Sequence, residues 1–213
     1  MKCWLLLLLL LGCWNLPARA ESLLLEDFEQ GLGPQWTEKS FKGHTVYSVV
    51  ADGGGRVLRA ESRNAASGLV LEKAFDLKRY PRLAWRWKVE NILQKGDERS
   101  KAGDDYAARV YVIFPHWFAP KTRSINYIWA NKLPKGEFVP NPFFSNAVML
   151  AVRSGPERVG EWLSEERDVA ADYRRIFGEP PPLAGAVAIM TDTDNTGGAA
   201  VAYYDDLRLL PAP

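Results

Sequence analysis

Leu83-Ala84-Trp85-Arg86-Trp87-Lys88-Val89 alternates large apolar residues with small or charged ones. An extended chain sends successive side chains to opposite faces, so Leu83, Trp85, Trp87 and Val89 share a buried face. Ala84, Arg86 and Lys88 then point to the other side. Tyr80-Pro81 closes the run at its start. Working outward, similar short runs recur at Ser22–Phe28, Thr45–Val50, Arg56–Glu61 and Gly68–Phe75. Beyond it lie Ala107–Phe114, Ser124–Ala130, Asn146–Arg153, Ala186–Thr191 and Ala199–Leu209. Many short strands separated by turns such as Asp52-Gly53-Gly54-Gly55 predict an all-β fold, a β-sandwich or jelly roll. One helix is expected over about 164–177. Ser164 is its N-cap and Glu165 and Glu166 fill its first turn; Gly178 and Pro180-Pro181-Pro182 end it.

The first twenty residues read as an address. Lys2 precedes the apolar run Leu5–Leu11, and Ala18-Arg19-Ala20 places small residues where a signal peptidase reads them. The apolar run is far shorter than the roughly 20 residues a spanning helix needs, and no later segment reaches that length. The expectation is a signal peptide over 1–20, cleaved after Ala20, and a periplasmic or secreted domain over 21–213 with no transmembrane span. Leu10-Leu11-Gly12-Cys13 offers the alternative of a lipoprotein anchored at Cys13. Cleavage removes Cys3 and Cys13, the chain's two cysteines, so the remainder has neither disulfides nor thiol chemistry.

The full chain of 213 residues carries 27 Lys and Arg against 26 Asp and Glu. Without Lys2 and Arg19 the balance is 25 to 26, and no net field recruits nucleic acid. The acids are concentrated in a few places. Asp97, Glu98, Asp104 and Asp105 precede a strand that carries Arg109, and Asp192, Asp194 and Asn195 stand in a second loop. Such loops suit a cation or sugar hydroxyls. The second loop starts like a calcium loop, but Tyr203 stands where the bidentate Glu belongs, which rejects an EF-hand. Asp27 and Glu29 near the start and Asp205 and Asp206 near the end form a third group. If the terminal strands pair, these four acids meet, and a structural Ca2+ relieves their repulsion.

The chain has 8 Trp, 8 Tyr and 9 Phe. Asn126 and Trp129, with Trp85, Trp87, Tyr111 and Trp117, are candidates for a sugar-stacking platform, although the phase of Trp85 and Trp87 marks both as core. The candidate binding residues are therefore Asp104, Asp105, Arg109, Asn126, Trp129, Asp192, Asp194 and Asn195. Catalytic motifs are thin. His44 and His116 lack a Ser-Asp context, and no Gly-x-Ser-x-Gly or His-Glu-x-x-His occurs.

Three runs carry a family resemblance: Ala102–Arg109, Ser124–Asn131 and Ile189–Gly197. Together they resemble the bacterial exported family of the domain of unknown function 3047. That resemblance implies an exported domain and assigns no site residues. The Asp-Phe-Glu start and Tyr-Tyr-Asp-Asp-Leu end also resemble carbohydrate-binding jelly rolls, in which a calcium between the terminal segments falls on Glu29 and Asp206. The leading expectation is an exported, non-catalytic domain that binds a glycan or another cell-envelope component. The alternatives are a glycan hydrolase or lyase using Asp104, Asp105, Asp192 or Asp194, and a structural domain of the envelope.

Overall fold

Trp85 stacks on Tyr127 at 5.4 Å between ring centroids, and Trp87 meets Trp129 at 5.9 Å. Each pair joins one sheet to the other. The computed structural model describes residues 21–212, so the leader expected over 1–20, with Cys13, lies outside the described residues. The strands are β1 (Leu23–Glu26), β2 (Trp36–Lys42), β3 (Val46–Asp52), β4 (Gly55–Arg63), β5 (Ala66–Phe75) and β6 (Arg82–Val89). They continue with β7 (Arg109–Phe114), β8 (Arg123–Ala130), β9 (Phe138–Pro140), β10 (Ala147–Ser154) and β11 (Leu163–Asp168). Helix α1 (Val169–Phe177) precedes β12 (Ala184–Asp192) and β13 (Ala199–Leu210).

One sheet has the order β11-β6-β13-β4-β3, with β1 paired to β13; the other runs β2-β5-β12-β7-β8-β10-β9. This is the expected β-sandwich with one helix. The sheets face each other through Leu58, Leu83, Trp85, Trp87 and Tyr204 on one side and Leu69, Val110, Val112, Tyr127, Trp129 and Ile189 on the other, all buried. Tyr204 also crosses the core with a hydrogen bond, its hydroxyl donating to the Met190 carbonyl at 2.8 Å.

β8 and β10 are parallel, so the chain must cross over between them, and it does so through residues 131–146. This crossover and the buried Tyr106 cover part of the second sheet's outer face. Tyr106, Ile128, Ala130, Leu133, Met149 and Ala151 form a second, smaller core there. Glu98, fully buried, holds the crossover's start by accepting backbone N–H groups of Asn131 at 2.6 Å and Leu133 at 2.9 Å.

Ten expected strands are present. The helix is shorter than expected. Residues 163–168 form β11 against β6, and Asp168, not Ser164, caps α1 by accepting from Ala171 N at 2.7 Å. Glu165 explains the difference. Its side chain is buried beneath Arg153 and the Trp87 indole, which donate to it at 2.6 and 3.1 Å. A strand turns Leu163 and Glu165 to the same side, and that pairing outweighs the helical look of two adjacent glutamates. Gly178 ends the helix in the left-handed region (φ 73°), as expected.

Candidate functional site

The three sequence runs that carry the family resemblance converge at one end of β7, β8 and β12. Arg109 opens β7, and its Nε donates to Asp192 Oδ1 at 2.8 Å while Nη2 pairs with Oδ2. Both side chains are buried, and the guanidinium lies over the Tyr106 ring at 4.4 Å. Asp105, fully buried, ties the two acidic loops together. It accepts Asn195 N and Nδ2, both at 3.2 Å, and Thr196 N at 2.5 Å. Asn131, from the run Ser124–Asn131, donates to the Asp105 carbonyl at 2.8 Å. Asp104 accepts from Asn141 at 2.7 Å and from the Tyr106 hydroxyl at 3.1 Å. Burial pushes the Tyr106 hydroxyl well above its ordinary pKa and keeps it a donor.

Six of the eight candidate binding residues are thus brought into one cluster, as their spacing hinted, but Asp104, Asp105, Arg109 and Asp192 are closed to solvent. Their donors and acceptors are spent on each other. Asn126 and Trp129 lie apart from the cluster on opposite faces of β8, and neither is exposed. Trp129 belongs to the main core, with its indole donating to Gly155 O at 3.0 Å; Asn126 is buried on the outer face, donating to Val148 O at 3.3 Å. Neither offers a surface to a sugar ring. Only Asp194 and Asn195 keep partial exposure. Oxygens of Asp105, Asp192 and Asp194 approach within 4.8 Å of one another. Burial, and next the charge of Asp105, raises the Asp194 pKa above 3.8.

The terminal acids also meet. Asp27, Glu29, Asp52, Asp205 and Asp206 line one pocket of about 290 Å³ with Arg86 and Trp162. Arg86 pairs with Asp205 and, at 3.2 Å, with Asp206, while Arg208 reaches Asp206 at 2.9 Å. Lys88 and the Trp162 indole hold Asp52 at 2.5 and 3.0 Å and keep its pKa low. Glu29 accepts Arg56 N at 3.0 Å. The four expected acids do not draw together as closely as the Asp105 group does.

The open concave surface lies elsewhere. Sheet register places Thr37, Val70, Ala188 and Tyr111 in one row across the outer face of the second sheet, and Glu72, Ala186 and Ile113 in the next. A cleft of about 570 Å³ occupies this region, floored by Val70, Ile113 and Ala186 and walled by Thr37, Glu38, Lys39 and Glu72. Gly185 lets it form, since a Cβ there would meet Pro115 at 2.6 Å. Pro115 also lines a second cleft of about 540 Å³ with His116, Lys121, Asn146 and Pro180–Pro182. Sequence reasoning missed both clefts. The polar strand β2 that forms one wall has no alternating pattern to announce it.

A sequence profile described as "Protein of unknown function (DUF3047)" matches residues 34–208. The chain belongs to the DUF3047 family. No curated protein matches it in sequence. Among solved structures it is similar to the family 30 carbohydrate-binding module of a cellulosomal cellulase of Clostridium thermocellum. That match has 9% identity and a TM-score of 0.51, and covers 90% of this chain and 98% of the other. A carbohydrate-binding module specific for non-crystalline cellulose, CBM28, matches at 15% identity and TM-score 0.45, covering 90% and 96%. TmCBM61, solved with β-1,4-galactotriose, matches at 14% identity and TM-score 0.43, covering 87% and 94%. The likeness to the family 30 module agrees with the two facing sheets and shows the fold of this chain to be a jelly-roll β-sandwich.

Two consequences follow for the acidic cluster. Asp192→Asn leaves the Arg109 charge buried without its counter-ion, and chemical denaturation should show a loss of about 3–5 kcal/mol. Asp194→Asn should act the other way. An acid whose pKa is raised on folding binds protons more readily when folded, so its penalty is complete at neutral pH. The penalty fades as the pH falls through the raised value toward 3.8. Melting curves should show the Asn variant slightly more stable at pH 7, by about 0.5 kcal/mol. The advantage should vanish near pH 4; an equal gain at both pH values would contradict this account.

Proposed function

We propose that this DUF3047 domain is an exported, non-catalytic module that binds a glycan chain of the cell envelope. The reading rests first on the cleft over the outer face of the second sheet. An apolar floor with a few polar groups at its walls is the usual form of a small-ligand site. Sugar rings have apolar C–H faces that rest on Val70, Ile113 and Ala186. Their hydroxyls meet Thr37, Lys39 and Glu72, whose side chains make no hydrogen bond or ion pair among the described residues, Lys39 lying only over the Phe41 ring. The whole-length likeness in fold to a carbohydrate-binding module supports the same class of ligand. Export is supported by the pattern of Lys2, Leu5–Leu11 and Ala18-Arg19-Ala20. The hydrolase alternative has less behind it, because Asp104, Asp105 and Asp192 are buried and occupied.

Affinity electrophoresis through gels containing soluble glucans, galactans, xylans and peptidoglycan fragments tests the reading. At least one polymer should retard the protein. A Lys39→Ala, Glu72→Ala variant should lose about a hundredfold in affinity with an unchanged melting temperature, as expected for two lost hydrogen bonds to charged groups. Free mobility in every gel would remove the proposal.

A structural calcium ion in the terminal pocket forms the second part of the reading. Five carboxylates there face Arg86, Lys88 and Arg208, so negative charge is in excess. Asp27 and Glu29 each keep a carboxylate oxygen to offer, and calcium is a hard cation suited to oxygen ligands. Chelation should then lower the melting temperature by about 5 °C or more. An Asp27→Asn, Glu29→Gln variant should melt at the chelated temperature whether or not calcium is added. A melt indifferent to chelator would dispose of the ion.

A further inference from the structure

The chain presents its large apolar side chains to solvent unevenly. Trp117 is 91% exposed, Phe143 57%, Phe118 48% and Phe144 41%. All four stand on two loops, 115–122 between β7 and β8 and 141–146 between β9 and β10. The loops are joined by Asn146 Nδ2, which donates to Pro120 O at 2.8 Å. Within the first loop Trp117 packs against His116 and Phe118, with centroids 5.5 and 5.9 Å apart. Exposed apolar side chains gathered in this way mark an interaction surface.

Two observations say what covers it. The first is charge. No Asp or Glu occurs from Tyr106 to Gly136, nor from Phe138 to Pro156, so neither loop contains an acid. Lys121 sits on the first loop, and Lys101 lies over the Phe143 ring at 5.2 Å. Two acids that contact or flank these loops are neutralised or buried: Glu179 pairs with Arg123, and Asp104 is held by Asn141.

The second observation is the fate of the polar side chains among the aromatics. Asn141 donates to Asp104, and its oxygen accepts Phe143 N at 2.8 Å and Phe144 N at 3.0 Å. Asn146 is spent on Pro120, and Thr122 accepts His116 N at 3.2 Å. His116 Nδ1 in turn accepts Phe118 N at 3.0 Å. A sugar-binding platform needs free hydrogen-bonding groups beside its rings. Here most of those groups shape the loops; apart from the exposed Ser145, what remains outward is chiefly aromatic surface and lysine.

We infer that this tip docks on the surface of an anionic lipid bilayer, with Trp117, Phe118, Phe143 and Phe144 entering the headgroup region and Lys101 and Lys121 facing the lipid charges. Aromatic rings favour the bilayer interface. Each lysine held near an anionic surface adds roughly 1 kcal/mol, about fivefold in binding. The inference is independent of the glycan cleft, whose walls Thr37, Lys39 and Glu72 do not belong to the tip.

The test uses the full chain and vesicles of phosphatidylcholine with or without one-third phosphatidylglycerol. Because Leu5–Leu11 can itself partition into lipid, every comparison is between variants of the same chain. Trp117→Ser with Phe143→Ser and Phe144→Ser should weaken co-sedimentation about tenfold or more, and Lys101→Glu with Lys121→Glu should abolish the preference for anionic vesicles. A second readout subtracts the emission of Trp117→Phe from that of the wild type, which isolates Trp117. This difference emission should shift to the blue and be quenched by brominated lipid. All substituted side chains except that of Lys121 lie outside both clefts, so retention of gel affinity by the Ser variant keeps this result separate from the glycan reading. Equal sedimentation of the variants, or a Trp117 signal blind to brominated lipid, overturns the inference. So does a Trp117 signal that responds to a polysaccharide in place of vesicles.

Discussion

The Arg109–Asp192 ion pair is the constraint on which the rest of the second sheet's outer face depends. Taking both charges out of water is costly, and the cost is met only where every remaining hydrogen-bonding position is filled. Here Tyr106 N joins Arg109 on Asp192 Oδ1, and the Tyr106 ring covers the guanidinium. That places Tyr106 over Ile128 and Met149 and seals the half of the outer face formed by β8 and β10. The other half, over β2, β5 and β12, receives no such cover and becomes the cleft. A structural ion pair on one side of the sheet thus decides which part of the outer face stays open on the other.

The two outer faces show how differently one sandwich uses its surfaces. On the first sheet, β6 and β4 turn outward Arg82, Arg86, Lys88, Arg59 and Glu61, all of them in ion pairs. Trp162 lies across this ladder with Arg86 and Lys88 at about 5 Å from its ring. Such a face is solvated and largely self-satisfied. On the second sheet, β5 and β12 turn outward Gly68, Val70, Ala186, Ala188 and Met190 beside Glu72, most of them too small or too apolar to satisfy themselves by charge pairing. Gly68, Ala186, Ala188 and Met190 are buried all the same, and Val70 keeps partial exposure at the cleft.

The fold was legible because the inner-facing residues keep strict period-two patterns: Leu83 to Val89, Val110 to Phe114, and Ile125 to Trp129. The strands that escaped notice lie at sheet edges. β2 reads Trp-Thr-Glu-Lys-Ser-Phe-Lys and buries Trp36 alone, while β11 hides Glu165 in a position that sequence marks as exposed. The candidate site was half legible. Acids in two distant loops do come together with Arg109, but a sequence shows which charges are available and not which are spent. Asp105 accepts three N–H bonds, two of them from backbone, and a backbone donor leaves no trace in residue identity. The clefts were illegible for a related reason: Gly185 can be read in the sequence, but its close approach to Pro115 exists only in the folded sheet.

The absence of acids between Tyr106 and Gly136 has two separate causes, and separating them bears on the aromatic tip. Within β7 and β8 the reason is burial. Both strands are central and packed on the inner face by the opposite sheet, the outer face of β8 lies under Tyr106 and the crossover, and a carboxylate in such a place needs a partner of its own. Arg109 is tolerated at this depth because Asp192 answers it. That reasoning stops at Phe114. Residues 115–122 are mostly open to water, as are Phe143 and Phe144. Burial places no penalty on Asp or Glu at those positions, and solubility alone would favour polar residues over Trp117 and the phenylalanines. The loops are therefore acid-free and aromatic for a reason that lies outside the fold's own packing, and a negatively charged, partly apolar surface is the partner that matches both properties at once.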